Sequence, residues 1–179
     1  SFYLLEDTPT AWFANGEGYV DLYELLVGTL TVSGTENADT LVAGDGRNWT
    51  VLGYEGNDVL QGLGGNDRLD GGEGDDFLSG GLGNDTYLFG SGFGQDVVDS
   101  YDPTAGKLDV VQFDGTIAPE DVIASRSGND LILSVDGTSD VLTIRNYLEN
   151  DGITPYSVEQ IRFHDGTVWD LDTVQAMLN

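Results

Sequence analysis

Between residues 34 and 99, apolar positions recur once every nine residues, each set between runs of glycine and acidic or amide residues. The unit reads Gly-Gly-x-Gly-x-Asp-x-Leu-x. Four copies abut without a gap: Gly53–Gln61, Gly62–Asp70, Gly71–Ser79 and Gly80–Leu88. Two weaker units precede them. Gly34–Val42 keeps Asp39 and Leu41 but has Asn37 where glycine belongs. Ala43–Val51 keeps Gly44 and Gly46 but places Asn48 in the Asp slot and Thr50 in the Leu slot, leaving Leu52 as one residue too many. A seventh unit, Ser91–Asp99, follows the insertion Phe89-Gly90 and keeps Gly92, Gly94, Asp96 and Val98.

Each unit divides into six turn residues and three strand residues. Glycine supplies backbone conformations that a Cβ forbids. In the strand triplet, one apolar side chain points inward and its neighbours outward. The inward row predicted this way is Leu41, Thr50, Leu60, Leu69, Leu78, Tyr87 and Val98, a thin core of one residue per unit. Two units make one coil with a short parallel strand in each of two facing sheets. Seven units predict an all-β, parallel β-roll of about three and a half coils.

The flanks have other patterns. Residues 1–33, with Trp12, Phe13, Tyr19, Tyr23 and the run Leu25-Leu26-Val27, read as an N-terminal cap on the first coil. Residues 100–179 alternate as strands do, at Asp109–Phe113, Val122–Ser125, Leu131–Val135, Val141–Ile144, Val158–Phe163 and Thr167–Trp169. Gly128-Asn129, Asp136-Gly137 and Asp165-Gly166 are turn signals between them. Leu171, Val174 and Leu178 stand at helical spacing after Asp170, a candidate N-cap, so a short helix closes the chain. The parts are an N-terminal cap over 1–33, the roll over 34–99 and a β-rich C-terminal cap over 100–179, in one continuous domain. Such ends hide the open edges of a repeat array.

Composition narrows the function. Six Lys and Arg face 32 Asp and Glu, a formal charge of −26. That excludes a nucleic-acid binder, whose phosphates need basic partners, and argues against an anionic membrane surface. The hydrophobic fraction, 39%, is too high for an acidic disordered tail. The chain can fold if something manages its self-repulsion. There is no Cys, hence no disulfide, thiol nucleophile or zinc–thiolate site. No stretch approaches 18 apolar residues, so no helical span is expected. The chain starts without Met or the basic start of a secretory signal peptide, and reads as a fragment of something larger.

The aspartate of each unit is the chemical centre. In a coil, the turn of one unit stacks on the turn two units later, so carboxylates from adjacent layers lie about 4.8 Å apart. Asp39, Asp58, Asp76 and Asp96 form one row; Asn48, Asp67 and Asp85 form the other. A hard cation between layers removes the repulsion, and turn carbonyls, among them those of Gly56, Gly65, Gly74 and Gly83, add oxygen donors. Flexible all-oxygen coordination selects Ca²⁺ over Mg²⁺ or zinc. The pattern predicts about four to five ions, the weakest at Asn48, and no EF-hand loop is present.

Residues 34–99 resemble the nonapeptide calcium-binding repeats of RTX (repeats-in-toxin) proteins, the haemolysin-type β-roll family. Residues 100–179 resemble the haemolysin-type calcium-binding-related region that often follows them. The matching pieces are Gly115–Val122, Ser127–Leu131, Thr143–Tyr147, Val158–Phe163 and Asp165–Trp169. The resemblance covers about four-fifths of the chain and implies a secreted or cell-surface protein of a Gram-negative bacterium, exported by type I secretion. The expected function is a non-catalytic module whose calcium-driven folding supports a large adhesin or toxin-like protein, as a monomer. A host-surface glycan or protein would be bound through the parent chain. The rivals are an accessory module of a secreted protease, lipase or polysaccharide epimerase, and a ligand-binding adhesin tip.

Other chemistry is weaker. His164, the single histidine, has no Gly-x-Ser-x-Gly elbow or Cys to serve and reads as a surface residue. Asp75 beside Asp76 reads as a solvated variant of the usual Asn rather than an acid–base pair. Trp12, Trp49 and Trp169 read as buried in caps rather than as sugar platforms. The third position of the repeat lacks the threonine ladder of an ice-binding face.

Overall fold

The computed structural model describes residues 10–11, 19–21, 30–44, 46–152 and 154–178. Three strands precede the repeats: β1 (Thr10–Ala11), β2 (Tyr19–Asp21) and β3 (Leu30–Ser33). Trp12, Phe13, Tyr23 and Leu25–Val27 of the expected N-terminal cap lie outside the described residues. A turn-rich nine-residue unit leaves room for only a short strand, and the seven units form seven of them. They are β4 (Thr40–Val42), β5 (Trp49–Glu55), β6 (Val59–Gln61), β7 (Arg68–Glu73), β8 (Phe77–Ser79), β9 (Thr86–Phe89) and β10 (Gln95–Val98). Six more follow: β11 (Val110–Phe113), β12 (Val122–Ser127), β13 (Asp130–Val135), β14 (Val141–Ile144), β15 (Gln160–Arg162) and β16 (Val168–Trp169), and then helix α1 (Leu171–Leu178).

Successive repeat strands alternate between two sheets. One runs β1-β2-β3-β5-β7-β9-β11-β15-β16 and the other β12-β13-β14-β10-β8-β6-β4. Within the repeats every pairing is parallel and each strand sits on the one two units away, as in Leu41↔Leu60↔Leu78 and Val51↔Leu69↔Tyr87. The chain therefore winds as a β-roll. The flanks continue it: β3 pairs parallel with β5, β14 with β10, and β11 with both β9 and β15. Antiparallel hairpins then close the ends, β12 on β13 on β14 and β16 on β15.

The core is a file of single side chains between the sheets. Leu41, Leu60, Leu78 and Val98 from one sheet meet Val51, Leu69, Tyr87 and Val111 from the other, all fully buried. Here one expectation is corrected. Thr50 is only half-buried, and Val51 holds the inward slot opposite Leu69. Parallel pairing counts back from the Leu slot, so the additional residue falls in the turn between Ala43 and Gly46, not at Leu52. The Ala43 amide still donates to Gln61 as Gly62 does to Ser79.

Beyond residue 88 the core thickens. Phe89, Phe93, Phe113, Phe163 and Trp169 form a continuous aromatic chain with centroid separations from 4.7 to 6.1 Å. Such contacts add to area burial. Trp169 is buried in the C-terminal region as expected; Trp49 lies in the roll, partly buried against the core. Helix α1 starts where Asp170 accepts the Thr173 amide at 2.9 Å, the N-cap geometry its sequence called for.

The register gives a direct test. Val51→Ala should cost about 2 kcal/mol or more by opening a cavity, whereas Thr50→Ala should cost under about 1 kcal/mol, the span of strand propensity. Denaturant unfolding at saturating calcium reads both; equal losses would place the inward row wrongly.

Candidate metal centre

The turns on each long edge of the roll stack in a row. Asp39, Asp58, Asp76 and Asp96 form the first row as their spacing predicts, each just ahead of or at the start of a strand of the second sheet. One carboxylate oxygen of each layer accepts the backbone N–H of the layer before it: Asp58 Oδ1 from Asp39 at 2.7 Å, Asp76 from Asp58 at 2.8 Å and Asp96 from Asp76 at 2.8 Å. In the second row Asp67 accepts from Trp49, and Asp85 from Asp67, both at 2.8 Å. Trp49, not Asn48, therefore occupies the Asp position of the second unit, and this follows from the same shift that moved Thr50. Asn48 stands one place earlier, exposed, in a separate ladder. There the side-chain oxygens of Asn48, Asn57, Asn66, Asp75 and Asn84 accept the amides of the next layer at 2.7–3.1 Å. Asp75 thus does the work of the usual Asn while remaining exposed.

The second carboxylate oxygen is the telling one. Oδ2 of Asp58, Asp67, Asp76, Asp85 and Asp96 is buried and has no hydrogen-bond partner. A buried, unpaired carboxylate oxygen is costly. Burial pushes the carboxyls of Asp67 and Asp76 up to about 6, Asp85 to about 7 and Asp96 to about 8, against the lowering effect of the amide each accepts. Asp58 is raised for the same reason. Asp39 differs: it is half-buried, and its Oδ2 accepts the Thr35 amide at 2.7 Å and hydroxyl at 2.8 Å.

Backbone oxygens crowd the same places. A methyl group on Gly53 would overlap both Asp58 Oδ2 and the Gly71 carbonyl oxygen; on Gly62 it would overlap Asp67 Oδ2 and the Gly80 carbonyl. The first glycine of the unit is thus required because two oxygens converge where its Cβ would be. The carbonyls of Gly56, Gly65 and Gly74 also stack in files, against the α-carbons of Gly74, Gly83 and Gly94. Among the described residues no three acidic or histidine side chains converge as a cage. The donor set is carboxylate plus carbonyl, all oxygen, which fits a hard cation of flexible coordination.

Sequence reasoning missed several members. Asp109 Oδ1 accepts the Asp85 amide at 2.9 Å, and Glu159 Oε2 accepts the Asp109 amide at 2.7 Å, so the second row runs on to β15. Their signal was an acidic-x-apolar triplet, Asp109-Val110-Val111 and Glu159-Gln160-Ile161, without the glycines. Asp102 and Asp140 end the stacks differently: Gly83 donates to Asp102 at 3.0 Å, and Gly92 to Asp140 at 2.8 Å, in place of a further turn. His164 is exposed, near Gly115.

Two parallel sheets wound from nine-residue units, with an aspartate row along each edge, define a repeat protein of the β-roll class. Residues 31–49 and 52–87 match the family model described as RTX calcium-binding nonapeptide repeat (4 copies), and residues 130–173 match the haemolysin-type calcium binding protein related domain. Together they take in 99 of the 179 residues. The chain therefore carries RTX calcium-binding nonapeptide repeats followed by a haemolysin-type calcium-binding related domain, and such repeats are typical of secreted proteins. The iron-regulated protein FrpA of Neisseria meningitidis serogroup C is 37% identical over 93 residues, 52% of this chain and 8% of that protein. The chain thus spans a small fraction of the relative's length. The solution structure of the AlgE6R3 subunit of the Azotobacter vinelandii mannuronan C5-epimerase superposes with a TM-score of 0.50. It is 27% identical and covers 74% of this chain and 81% of that one.

A carboxyl with a raised pKa holds a proton where an ordinary one is bare, and a cation binds only the bare form. Calcium uptake at pH 6.5 should therefore release protons, and affinity should fall as pH drops from 8 to 6. Calorimetry in buffers of different ionisation enthalpy measures this; buffer-independent heats would contradict it.

Proposed function

We propose that this chain is a non-catalytic calcium-binding module, in one continuous domain of N-terminal cap (1–33), roll (34–99) and C-terminal cap (100–179). In this reading, calcium-driven folding supports the secretion and extracellular stability of a larger bacterial RTX protein of adhesin or toxin-like type. The observation that carries it is the set of five buried, unpartnered Asp Oδ2 atoms, one in each stacked layer from Asp58 to Asp96. Asp39, Asp58, Asp67, Asp76, Asp85 and Asp96 supply carboxylates. The carbonyls of Gly56, Gly65, Gly74 and Gly83 are candidate donors, and so are those of Gly71 and Gly80, which converge with an unpaired oxygen at Gly53 and Gly62. Asn48, one place out of the row, contributes through its amide ladder. About four to five ions fit the stack.

The energetics agree with a folding switch. Residues 34–99 hold ten Asp and three Glu against Arg47 and Arg68. Extracellular calcium modules bind with a dissociation constant on the order of 10⁻⁴ M. At about ten times that concentration each site stabilises by about 1.4 kcal/mol. Five independent sites give about 7 kcal/mol, the scale of a whole domain's stability. In a calcium-poor cytosol the repeats would stay unfolded, as passage through a type I channel requires.

The second reading, an accessory module of a secreted enzyme, is favoured by the epimerase origin of the AlgE6R3 subunit. The flanking sequence of the parent chain separates the two readings.

Circular dichroism in chelator and then in millimolar calcium tests the switch. The β signal of the repeats should appear with calcium, over that of the C-terminal region, and not with the same concentration of magnesium. A chelated protein that keeps its β signal and melting temperature would overturn it.

A further inference from the structure

Six aspartates share one geometry, each with Oδ1 on the amide of the preceding layer: Asp58, Asp67, Asp76, Asp85, Asp96 and Asp109. In five of them Oδ2 has no partner. In the sixth, Asp109, Oδ2 meets the ammonium of Lys107 at 2.6 Å. Lys107 and Asp109 are both withdrawn from solvent, with side chains 5% and 0% exposed. The ammonium also donates to the Ser157 carbonyl and lies 3.6 Å from Glu159 Oε1. Its surroundings are a carboxylate of its own layer, a backbone carbonyl and a carboxylate of the next layer. That is the donor set the interior turns offer to a metal.

Two facts make the match more than a surface ion pair. Asp109 and Glu159 are in register, since Val110 pairs with Gln160, so the pair continues the second row by two layers. Both residues stand at the position of the repeat aspartate, two places ahead of an inward apolar residue, Val111 and Ile161. An ammonium at this point carries one charge where Ca²⁺ carries two, and it is tethered, so its occupancy does not depend on the solution.

We propose that Lys107 is a resident cation. It fills at Asp109 a latent calcium site, ends metal binding in the second row at Asp85, and lets β11 and β15 dock on each other without calcium. This inference rests on the reading of the interior turns as calcium sites, and its test separates the two. Calcium is titrated calorimetrically into the full chain and into Lys107→Gln, Lys107→Arg and Asp109→Asn. Lys107→Gln should bind one more ion than the parent, Lys107→Arg the parent number. Asp109→Asn should lose none, whereas Asp85→Asn should lose one. In chelator, the amides of Val110–Phe113 and Gln160–Arg162 should resist hydrogen exchange in the parent and lose that protection in Lys107→Gln.

An unchanged ion count in Lys107→Gln, or one ion fewer in Asp109→Asn, would overturn the assignment. Should Lys107→Gln not fold even in calcium, the Asp109→Asn count decides alone. Should no variant bind calcium, the interior reading fails, and exchange protection that is equal in the parent and Lys107→Gln would overturn the resident cation too.

Discussion

A carboxylate buried in each turn from Asp58 to Asp96, with one oxygen satisfied and one not, is the constraint on which the rest of this molecule depends. The satisfied oxygen holds the preceding layer through its backbone amide, so it fixes the stacking of the coils. The unsatisfied oxygen crowds the first glycine of the same unit, together with a carbonyl oxygen of the unit two along. That crowding explains the glycine, and it rules out a side chain at that position more firmly than the turn's backbone angles do. A hydrophobic core could have been built to offset the desolvation of five such oxygens, but here it is a single file of leucine-sized side chains. Cohesion has to come from whatever neutralises the rows.

How each row ends supports this view. At the start of the first row, Asp39 is half-buried and takes both an amide and a hydroxyl from Thr35. At the far end of the second, Asp109 takes an ammonium. Asp102 and Asp140 accept turn amides that in the interior go to the carbonyls of a further turn, as Gly65 donates to Leu82. Asp39 and Asp109 thus find their partners within the chain, while Asp58, Asp67, Asp76, Asp85 and Asp96 each leave an oxygen for something outside it. Stacked layers that all satisfied themselves would need no ion; layers that never did could not be closed.

Much of this was legible in the sequence, and the failures share a cause. The nine-residue period placed Asp39, Asp58, Asp76 and Asp96 in one row and Asp67 and Asp85 in the other, because each of those units keeps its Asp two places ahead of the inward apolar residue. The unit whose Asp position holds Trp49 was framed one residue early, putting Thr50 inward and Asn48 in the Asp row. Threonine and valine have similar strand propensity, so local composition could not separate Thr50 from Val51; pairing with Leu69 does. In the C-terminal region, alternation found the strands and Asp170 found the helix. Their parallel pairing with the roll was hidden, since contacts such as Asp109 with Glu159 join residues 50 positions apart and leave no local periodicity. Lys107 was invisible for the same reason: a lone lysine in an acidic chain has no meaning until its layer is known.

The two halves consequently stand in an ordered relation. Parallel pairing between distant segments is slow to form, because loop closure is lost before contacts reward it. Here the C-terminal half carries the aromatic chain from Phe89 to Trp169, two closing hairpins and a built-in cation at Asp109. It can present β11 and β14 as edges whose register is already set. The repeats need such an edge, because each adds a turn with an unpaired carboxylate and only one core side chain, and gains little until its neighbour is in place. Growth from the C-terminal edge adds one layer and one neutralised carboxylate at a time. Growth from the other end would begin at Asp39, which is only half-buried and already takes its partners from Thr35. The chemistry of the row ends and the distribution of aromatic residues therefore point the same way along the chain.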